Sequence, residues 1–357
     1  MSPAASGDGP DRDAVDAAAA ARRDEARSHA SGSPGEHLPA PGDAPPEAKL
    51  EPVTLRTLNR MARRGEKFAC LTAYDATTAR WLERAGVHLL LAGDSAAEVI
   101  FGLDRTIDVP VEALLALTAA VKRGAPRTVV MADLPFMTYH TGVGEAVRSA
   151  GRFLTEGLAD IVKVEADASF APEVRAMSRA GIAVCAHVGS KPQHSTRTGG
   201  YTSAGRTAAG AARIIEDARA LEEAGAVMLL VEAVPEEVAA RLVERTSVPV
   251  IGIGAGPACH GQILVIQDLL GMTDHPPRFA EPVASMGPAI REAGREWVRR
   301  VASGSIGGQR YAMQPGEDQK LTEMGPRRVP EGERAGANET ERSRPETAPR
   351  PARTEEG

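Results

Sequence analysis

Cysteine is scarce. The chain has three, Cys70, Cys185 and Cys259, none spaced as C-x-x-C. An odd, scattered set excludes a disulfide framework and predicts a reduced, intracellular setting. Aromatic residues make up only 3% of the sequence, so any core must rest on Ala, Val, Leu and Ile. No apolar run approaches the roughly 20 residues that span a bilayer. The N-terminal segment has no basic stretch followed by an apolar one, which predicts no secretory leader. An excess of positive charge is also missing. The formal net charge is −6, which favours neither nucleic acid nor an anionic membrane as a partner. A soluble cytoplasmic protein is expected.

What is present is enough for a large core. The hydrophobic fraction is 42% over 357 residues. Residues 1–50 and 314–357 are poor in large apolar side chains and rich in Pro, Gly and charge. Such segments bury too little surface to offset chain entropy, so both are expected to be disordered tails. Residues 51–313 read as one domain. There, short apolar runs alternate with segments of helical period. Strands are expected at 68–73, 88–92, 128–132, 161–164, 183–186, 227–231, 249–253 and, as a short eighth, 262–266. Helices are expected at 75–85, 111–123, 144–157, 172–180, 208–224 and 235–245. A last helix, 286–302, is expected to close the domain from outside. Near-continuous apolar strands alternating with helices indicate a buried parallel sheet. Seven or eight such units predict a closed (β/α)8 barrel of the TIM type; an open doubly wound sheet is the alternative.

The informative residues follow the strands. They are Asp94 and Ser95 after the second, Asp133 after the third, Lys163 and Glu165 at the fourth, His187 after the fifth and Glu232 after the sixth. In a barrel these positions share the C-terminal rim, where barrel enzymes place their chemistry. Each has an ordinary explanation alone: an Asp after a strand forms turns or caps helices, and a lone histidine is commonly a hydrogen-bonded core residue. Three carboxylates and a lysine on adjacent strand ends are harder to explain without a purpose. Asp94, Asp133 and Glu165 together could hold a hard cation such as Mg²⁺. Lys163 lies two residues before Glu165, so strand alternation points both side chains to one face. A divalent cation that chelates a 2-oxo acid stabilises the enolate formed at the adjacent carbon. Glu232 is a candidate for the proton transfer. The residues lead to metal-assisted enolisation and leave the electrophile open.

The segments Leu71-Thr72-Ala73-Tyr74-Asp75, Gly93-Asp94-Ser95, Ala132-Asp133-Leu134-Pro135-Phe136, Lys163-Val164-Glu165, His187-Val188-Gly189, Gly199-Gly200-Tyr201 and 250–256 occur in one order. In that order and spacing the chain resembles the ketopantoate hydroxymethyltransferase (3-methyl-2-oxobutanoate hydroxymethyltransferase) family from about residue 53 to about 310. The resemblance implies a Mg²⁺-dependent barrel that moves a hydroxymethyl group from 5,10-methylenetetrahydrofolate to 3-methyl-2-oxobutanoate. The product is 2-dehydropantoate, on the route to pantothenate and coenzyme A. Carried over by position, Asp94, Asp133 and Glu165 are implied as metal ligands, and Asp94, Ser95, Asp133 and Lys163 as 2-oxo acid contacts. Glu232 is implied as proton acceptor, and Tyr74, Ile253, Ile263 and Val265 as the apolar wall. His187 is implied as a histidine on the substrate side or behind the ligands. The implied assembly is a homo-oligomer, a decamer.

The chain departs from the family pattern in the loops. Ala96-Ala97-Glu98 stands where the family has a Leu-Gly-Met-like stretch, Leu103 and Leu117 where it has histidines, and Gly189-Ser190-Lys191-Pro192-Gln193 where it has Gly-Leu-Thr-Pro-Gln. Residues 306–313 replace a Pro-Gly-x-Glu-His close to the usual C-terminus. Three alternatives follow. One is a paralogue acting on another 2-oxo acid. Another is a carbon–carbon bond enzyme like phosphoenolpyruvate mutase and isocitrate lyase, against which stands the lack of a Lys-Lys-Cys-Gly-His-like loop. The third is a barrel that binds without turnover.

Overall fold

The computed structural model describes residues 51–308, 310–323 and 325. Its helices and strands, in chain order, are α1 (Leu55–Arg63), β1 (Phe68–Thr72), α2 (Ala76–Arg84), β2 (Leu89–Ala92), α3 (Ala96–Val99), α4 (Val111–Gly124), β3 (Val129–Asp133), α5 (Val143–Thr155), β4 (Ile161–Glu165), α6 (Ala171–Arg179), β5 (Val184–Gly189), α7 (Ser195–Thr198), α8 (Ala208–Glu223), β6 (Met228–Glu232), α9 (Glu236–Arg245), β7 (Val250–Ile253), β8 (Gly261–Leu264), α10 (Ile266–Leu269), α11 (Met286–Ala302) and α12 (Glu317–Glu323). The eight strands pair in sequence order, all in parallel, and β8 returns to β1. That last pairing closes the barrel and rules out the open sheet.

Strand alternation divides the apolar residues into two cores. Leu89 and Leu91 of β2, Val129 and Met131 of β3, Ile161 of β4, Cys185 of β5, and Met228 and Leu230 of β6 pack inside the barrel. The intervening Ala92, Ala132, Val162, Val164, Val184, Ala186, Leu229 and Val231 face the helical layer. The barrel interior is thus filled from its lower half by branched and sulfur-containing side chains, as a packed core rather than a pore. At the upper end the same inward register arrives at Asp133, Lys163, Glu165, His187 and Glu232. All three cysteines are free and buried.

Several boundaries differ from the sequence reading. Helix α1 was not expected. Thr54 and Thr57 form a reciprocal cap at its start, Arg60 and Arg63 complement its last turn, and Leu58 inserts into the barrel's lower core. The eighth strand stops at Leu264 rather than Ile266. The Thr72 side chain accepts the Ile266 N–H at 3.0 Å, and the chain turns there into α10. No helix separates β7 from β8. Helix α11 has the expected bounds, and none of its residues is buried. The described residues divide into two compact units, with the boundary between 290 and 291. Within the C-terminal tail, Glu317–Glu323 forms a helix with no buried residue, supported by an ion pair between Lys320 and Glu317. The tail is therefore not uniformly irregular: its acidic first turn and i,i+3 pair favour a helix locally. Residues 1–50 and 326–357, expected to be disordered, lie outside the described residues. Among the described residues no helix is long and apolar enough to cross a membrane.

Candidate active site at the C-terminal rim

The site forms where inward-facing positions run out of apolar residues. Asp133 ends β3 and stands directly beside Lys163 of β4; Glu165, ending β4, stands beside His187 of β5. Glu232 ends β6, beside Ile253 of β7. Asp94 follows β2 in a tight turn, where its backbone N–H donates to Asp133 Oδ2 at 2.9 Å. Gly93 allows this approach: a Cβ there would lie 3.0 Å from Ser95 Oγ and 3.4 Å from Asp133 Oδ2. Ser95 exchanges a 2.8 Å hydrogen bond with the Tyr74 hydroxyl. Asp94, Asp133, Lys163, Glu165 and His187 are all buried.

Lys163 is the ionic hub. Its ammonium lies 2.9 Å from Asp133 Oδ1 and 3.4 Å from His187 Nδ1. Burial works against this charge, but Asp133, Asp94 and Glu165 outweigh it and raise the lysine's pKa. His187 is driven the other way. Burial, and then the Lys163 charge, depress its pKa well below the ordinary value, so the ring is neutral. An ammonium can only donate, so Nδ1 accepts and the ring proton sits on Nε2, 3.5 Å from Glu232 Oε2. Burial raises Asp133 against the pull of Lys163, with Asp94 adding to the rise. Glu165 is raised strongly, again chiefly by burial. Glu232 is moved to about 7 by burial, against the attraction of Lys163.

Four carboxylates thus surround one ammonium, and burial favours the protonated form of three of them. This is the signature of a site short of positive charge. Glu165 Oε1 is buried with no hydrogen-bond partner among the described residues. It faces His187 Nδ1 at 3.8 Å, beyond hydrogen-bond reach. Asp133 Oδ1 has only its ion pair with Lys163. An all-oxygen donor set with spare, buried oxygens fits a hard cation. The three carboxylates expected as metal ligands do not form a ready-made cage, however. Among the described residues no three His, Cys, Asp or Glu side chains are grouped so as to hold a metal ion. One oxygen each of Asp94 and Glu165 is turned instead toward a residue that sequence reasoning passed over, Gln193.

Gln193 sits in the 3-10 turn Pro192–His194 after β5 and is buried. Its carboxamide donates to Asp94 Oδ2 at 2.9 Å and to the Leu134 carbonyl at 3.1 Å, and its backbone N–H donates to Glu165 Oε2 at 3.0 Å. The Tyr139 hydroxyl, 2.7 Å away, donates to its Oε1. The available signal was its place in the Gly189-Ser190-Lys191-Pro192-Gln193 stretch, whose Pro-Gln agrees with the Gly-Leu-Thr-Pro-Gln of the family pattern while Ser190 and Lys191 depart from it. Gly189, at φ +97, turns the chain out of β5 toward Gln193; a Cβ there would meet the Glu232 carbonyl at 2.6 Å. Ala233, immediately after Glu232, holds φ +46, an uncommon conformation for a residue with a Cβ. Hydrogen bonds from Ala233 N–H to the Ile253 carbonyl and from Ala204 N–H to the Ala233 carbonyl, both 2.9 Å, hold it there.

The residues expected as an apolar wall divide. Tyr74 reaches Ser95. Ile253 packs on the interior cluster that contains Ile263. Val265, half-buried at the start of α10, belongs to none of the core clusters.

A barrel with buried carboxylates, lysine and histidine on its C-terminal rim has the build of a barrel enzyme. Residues 52–308 match the family of ketopantoate hydroxymethyltransferases. A 3-methyl-2-oxobutanoate hydroxymethyltransferase of Hyperthermus butylicus is 43% identical over 279 residues, 78% of this chain and 96% of that protein. Enzymes of the same name from Methylococcus capsulatus and Halorhodospira halophila are 44% and 45% identical over 262 residues; each match covers 73% of this chain, and 97% and 95% of the respective relative. The chain belongs to the ketopantoate hydroxymethyltransferase family and is a transferase. A phosphonopyruvate hydrolase structure superposes with a TM-score of 0.50 at 15% identity, covering 81% of this chain and 98% of that one, a likeness of fold alone.

Proposed function

We propose that this enzyme transfers a hydroxymethyl group from 5,10-methylenetetrahydrofolate to 3-methyl-2-oxobutanoate, in the presence of Mg²⁺, giving 2-dehydropantoate for pantothenate and coenzyme A synthesis. The observation that carries the reading is the group of carboxylates around Lys163, of which Asp94, Asp133 and Glu165 are buried and Glu165 has a spare oxygen, in a chain 43–45% identical to relatives bearing that name. Asp94, Asp133 and Glu165 would hold the cation. When bound, it would supply a Lewis acid for the carboxylate and keto oxygens of the 2-oxo acid. Ser95, Lys163, Asp94 and Asp133 contact the acid group, with Lys163 facing charge that develops on the keto oxygen. Tyr74, Ile253, Ile263 and Val265 take the branched carbon chain. Glu232, as carboxylate, accepts the C3 proton, with neutral His187 beside it. The new bond joins C3 to the donor methylene carbon; water provides the hydroxyl oxygen and tetrahydrofolate departs. A pKa of about 7 suits a group that must take a proton and return it near neutral pH.

The test is deuterium exchange at C3 of 3-methyl-2-oxobutanoate, followed by NMR with and without Mg²⁺ and before folate is added. Cation-dependent exchange, followed by product once methylenetetrahydrofolate is supplied, supports the reading. No exchange on this acid sinks it. One observation favours a second reading, a different 2-oxo acid. Glu98, in place of the family's Met-like residue, accepts a 2.8 Å hydrogen bond from the Tyr201 hydroxyl, linking the loops after β2 and β5. Burial, with Asp94 and Asp268, raises its pKa. Faster exchange on an acid carrying a polar side chain would select that reading. The same proposal makes the enzyme cytoplasmic and a homo-oligomer of ten chains, which light scattering of the full chain would measure.

A further inference from the structure

We infer that Gln193 is a positioning residue that selects which oxygens of Asp94 and Glu165 remain free for a divalent cation. The inference rests on the function proposed above for this site, and concerns a residue to which that function assigns no role.

The argument is one of donors and acceptors. The Leu134 carbonyl and the Asp94 carboxylate can only accept, so the Gln193 atom facing both must be the NH₂ group. The opposite end of the amide then presents Oε1 to Tyr139. The tyrosine hydroxyl accepts the Glu165 N–H at 3.2 Å and so has its own proton to give, at 2.7 Å to Gln193 and 3.2 Å to the Glu165 carbonyl. The carboxamide orientation is therefore set from both sides. Its backbone adds the bond to Glu165 Oε2. The consequence falls on the carboxylates. Asp94 Oδ2 and Glu165 Oε2 are occupied, and Glu165 Oε1 is left buried with no hydrogen-bond partner among the described residues. Asp94 and Glu165 lie on different strand ends, with β3 between their strands. Asp133 ties the Asp94 backbone to Lys163, but Gln193 is the residue that hydrogen-bonds the carboxylates of both Asp94 and Glu165 and so sets one side chain relative to the other. A residue in such a position acts through the ligands it orients, and its loss typically weakens metal binding tenfold or more.

The experiment uses the full-length enzyme and three substitutions. Gln193→Met keeps the volume and removes the hydrogen bonds of the carboxamide. Gln193→Glu keeps the shape and places an acceptor against Asp94 Oδ2 and the Leu134 carbonyl. Tyr139→Phe leaves Gln193 in place and removes the proton that orients it. Mg²⁺ is titrated calorimetrically into each protein without substrate, and C3 exchange of 3-methyl-2-oxobutanoate is measured across Mg²⁺ concentrations. The expected result is a Kd for Mg²⁺ at least tenfold weaker in both Gln193 variants and a smaller loss in Tyr139→Phe. Exchange should recover as Mg²⁺ is raised, which a merely structural defect would not do. A Mg²⁺ affinity equal to or tighter than that of the unsubstituted enzyme in Gln193→Met overturns the inference; tighter binding would mean that the carboxamide competes with the cation. If Gln193→Met does not fold, Tyr139→Phe decides by the same reading. Calorimetry separates this from failure of the proposed reaction: the unsubstituted enzyme could bind Mg²⁺ and yet exchange nothing on this acid.

Discussion

Replacing Glu232 by Gln should stabilise the protein while disabling it, and the size of the gain should depend on pH. In the folded chain this carboxyl is moved from its ordinary 4.5 to about 7, with burial as the largest cause. The folded state therefore keeps a proton that the unfolded state has lost between those pH values. Stability falls as pH rises through that window, and the full cost is present above about 7. The shift corresponds to roughly 3 kcal/mol. Because the side chain retains 20% exposure, about 2–3 kcal/mol is a reasonable magnitude. Glutamine has no charge to desolvate. At pH 7.5 the variant should be more stable by that amount, about 4–10 °C in Tm for a barrel of this size. At pH 4.5 the two proteins should melt together. The assay is thermal unfolding in EDTA at a series of pH values, paired with kcat for the transfer. If Glu232 takes the C3 proton, kcat should drop by roughly 10²–10⁴. A stability difference that is constant from pH 4.5 to 7.5, or that favours the unsubstituted enzyme at pH 7.5, would refute the claim that burial holds this carboxyl out of its ordinary range. Normal turnover would leave Glu232 with no more than the role of ending β6.

Lys163→Met removes the ammonium that faces Asp133 at 2.9 Å. It should destabilise the enzyme by about 3–5 kcal/mol at pH 7.5, as expected when one partner of a buried pair is lost, and by less at pH 5, where the raised carboxyls take up protons; urea unfolding at both pH values checks this. Gly261→Ala places a Cβ 2.2 Å from Phe68 Cε2, inside the lower barrel. It should cost about 1–3 kcal/mol through overpacking, and Phe68→Leu in the same chain should recover part of the loss in Tm. Removal of residues 1–50 and 314–357 should leave both Tm and C3 exchange unchanged, as their low apolar content implies; a loss of either would show that a tail contributes to folding or to the site.

The sequence by itself determined the barrel and which strand ends carry its ionisable residues, because both follow from local periodicity. Leu89 to Ala92 and Val129 to Ala132 are apolar on both faces, which a doubly covered parallel strand explains. The two-residue spacing of Lys163 and Glu165 already placed both on one face, since alternation is a property of the strand. Closure through β8 was less legible. Four residues with no preceding helix carry little signal, and where the strand stops depends on Thr72, 194 residues away in sequence from the N–H it accepts. Helix α1 also went unread: it exists because Leu58 has a barrel floor to fill. Tertiary structure alone decided how the charges divide. Asp94, Asp133, Glu165 and Glu232 are equivalent carboxylates in the sequence. Burial, against the pull of the single ammonium of Lys163, raises the proton affinities of Asp133, Glu165 and Glu232. Gln193 shows the limit most clearly, because its importance lies in joining Asp94 and Glu165, residues 99 and 28 positions away. Hydrogen bonds across such separations leave no periodic trace in a chain; they arise only when closure of the barrel brings strand ends together around a shared, buried set of oxygens.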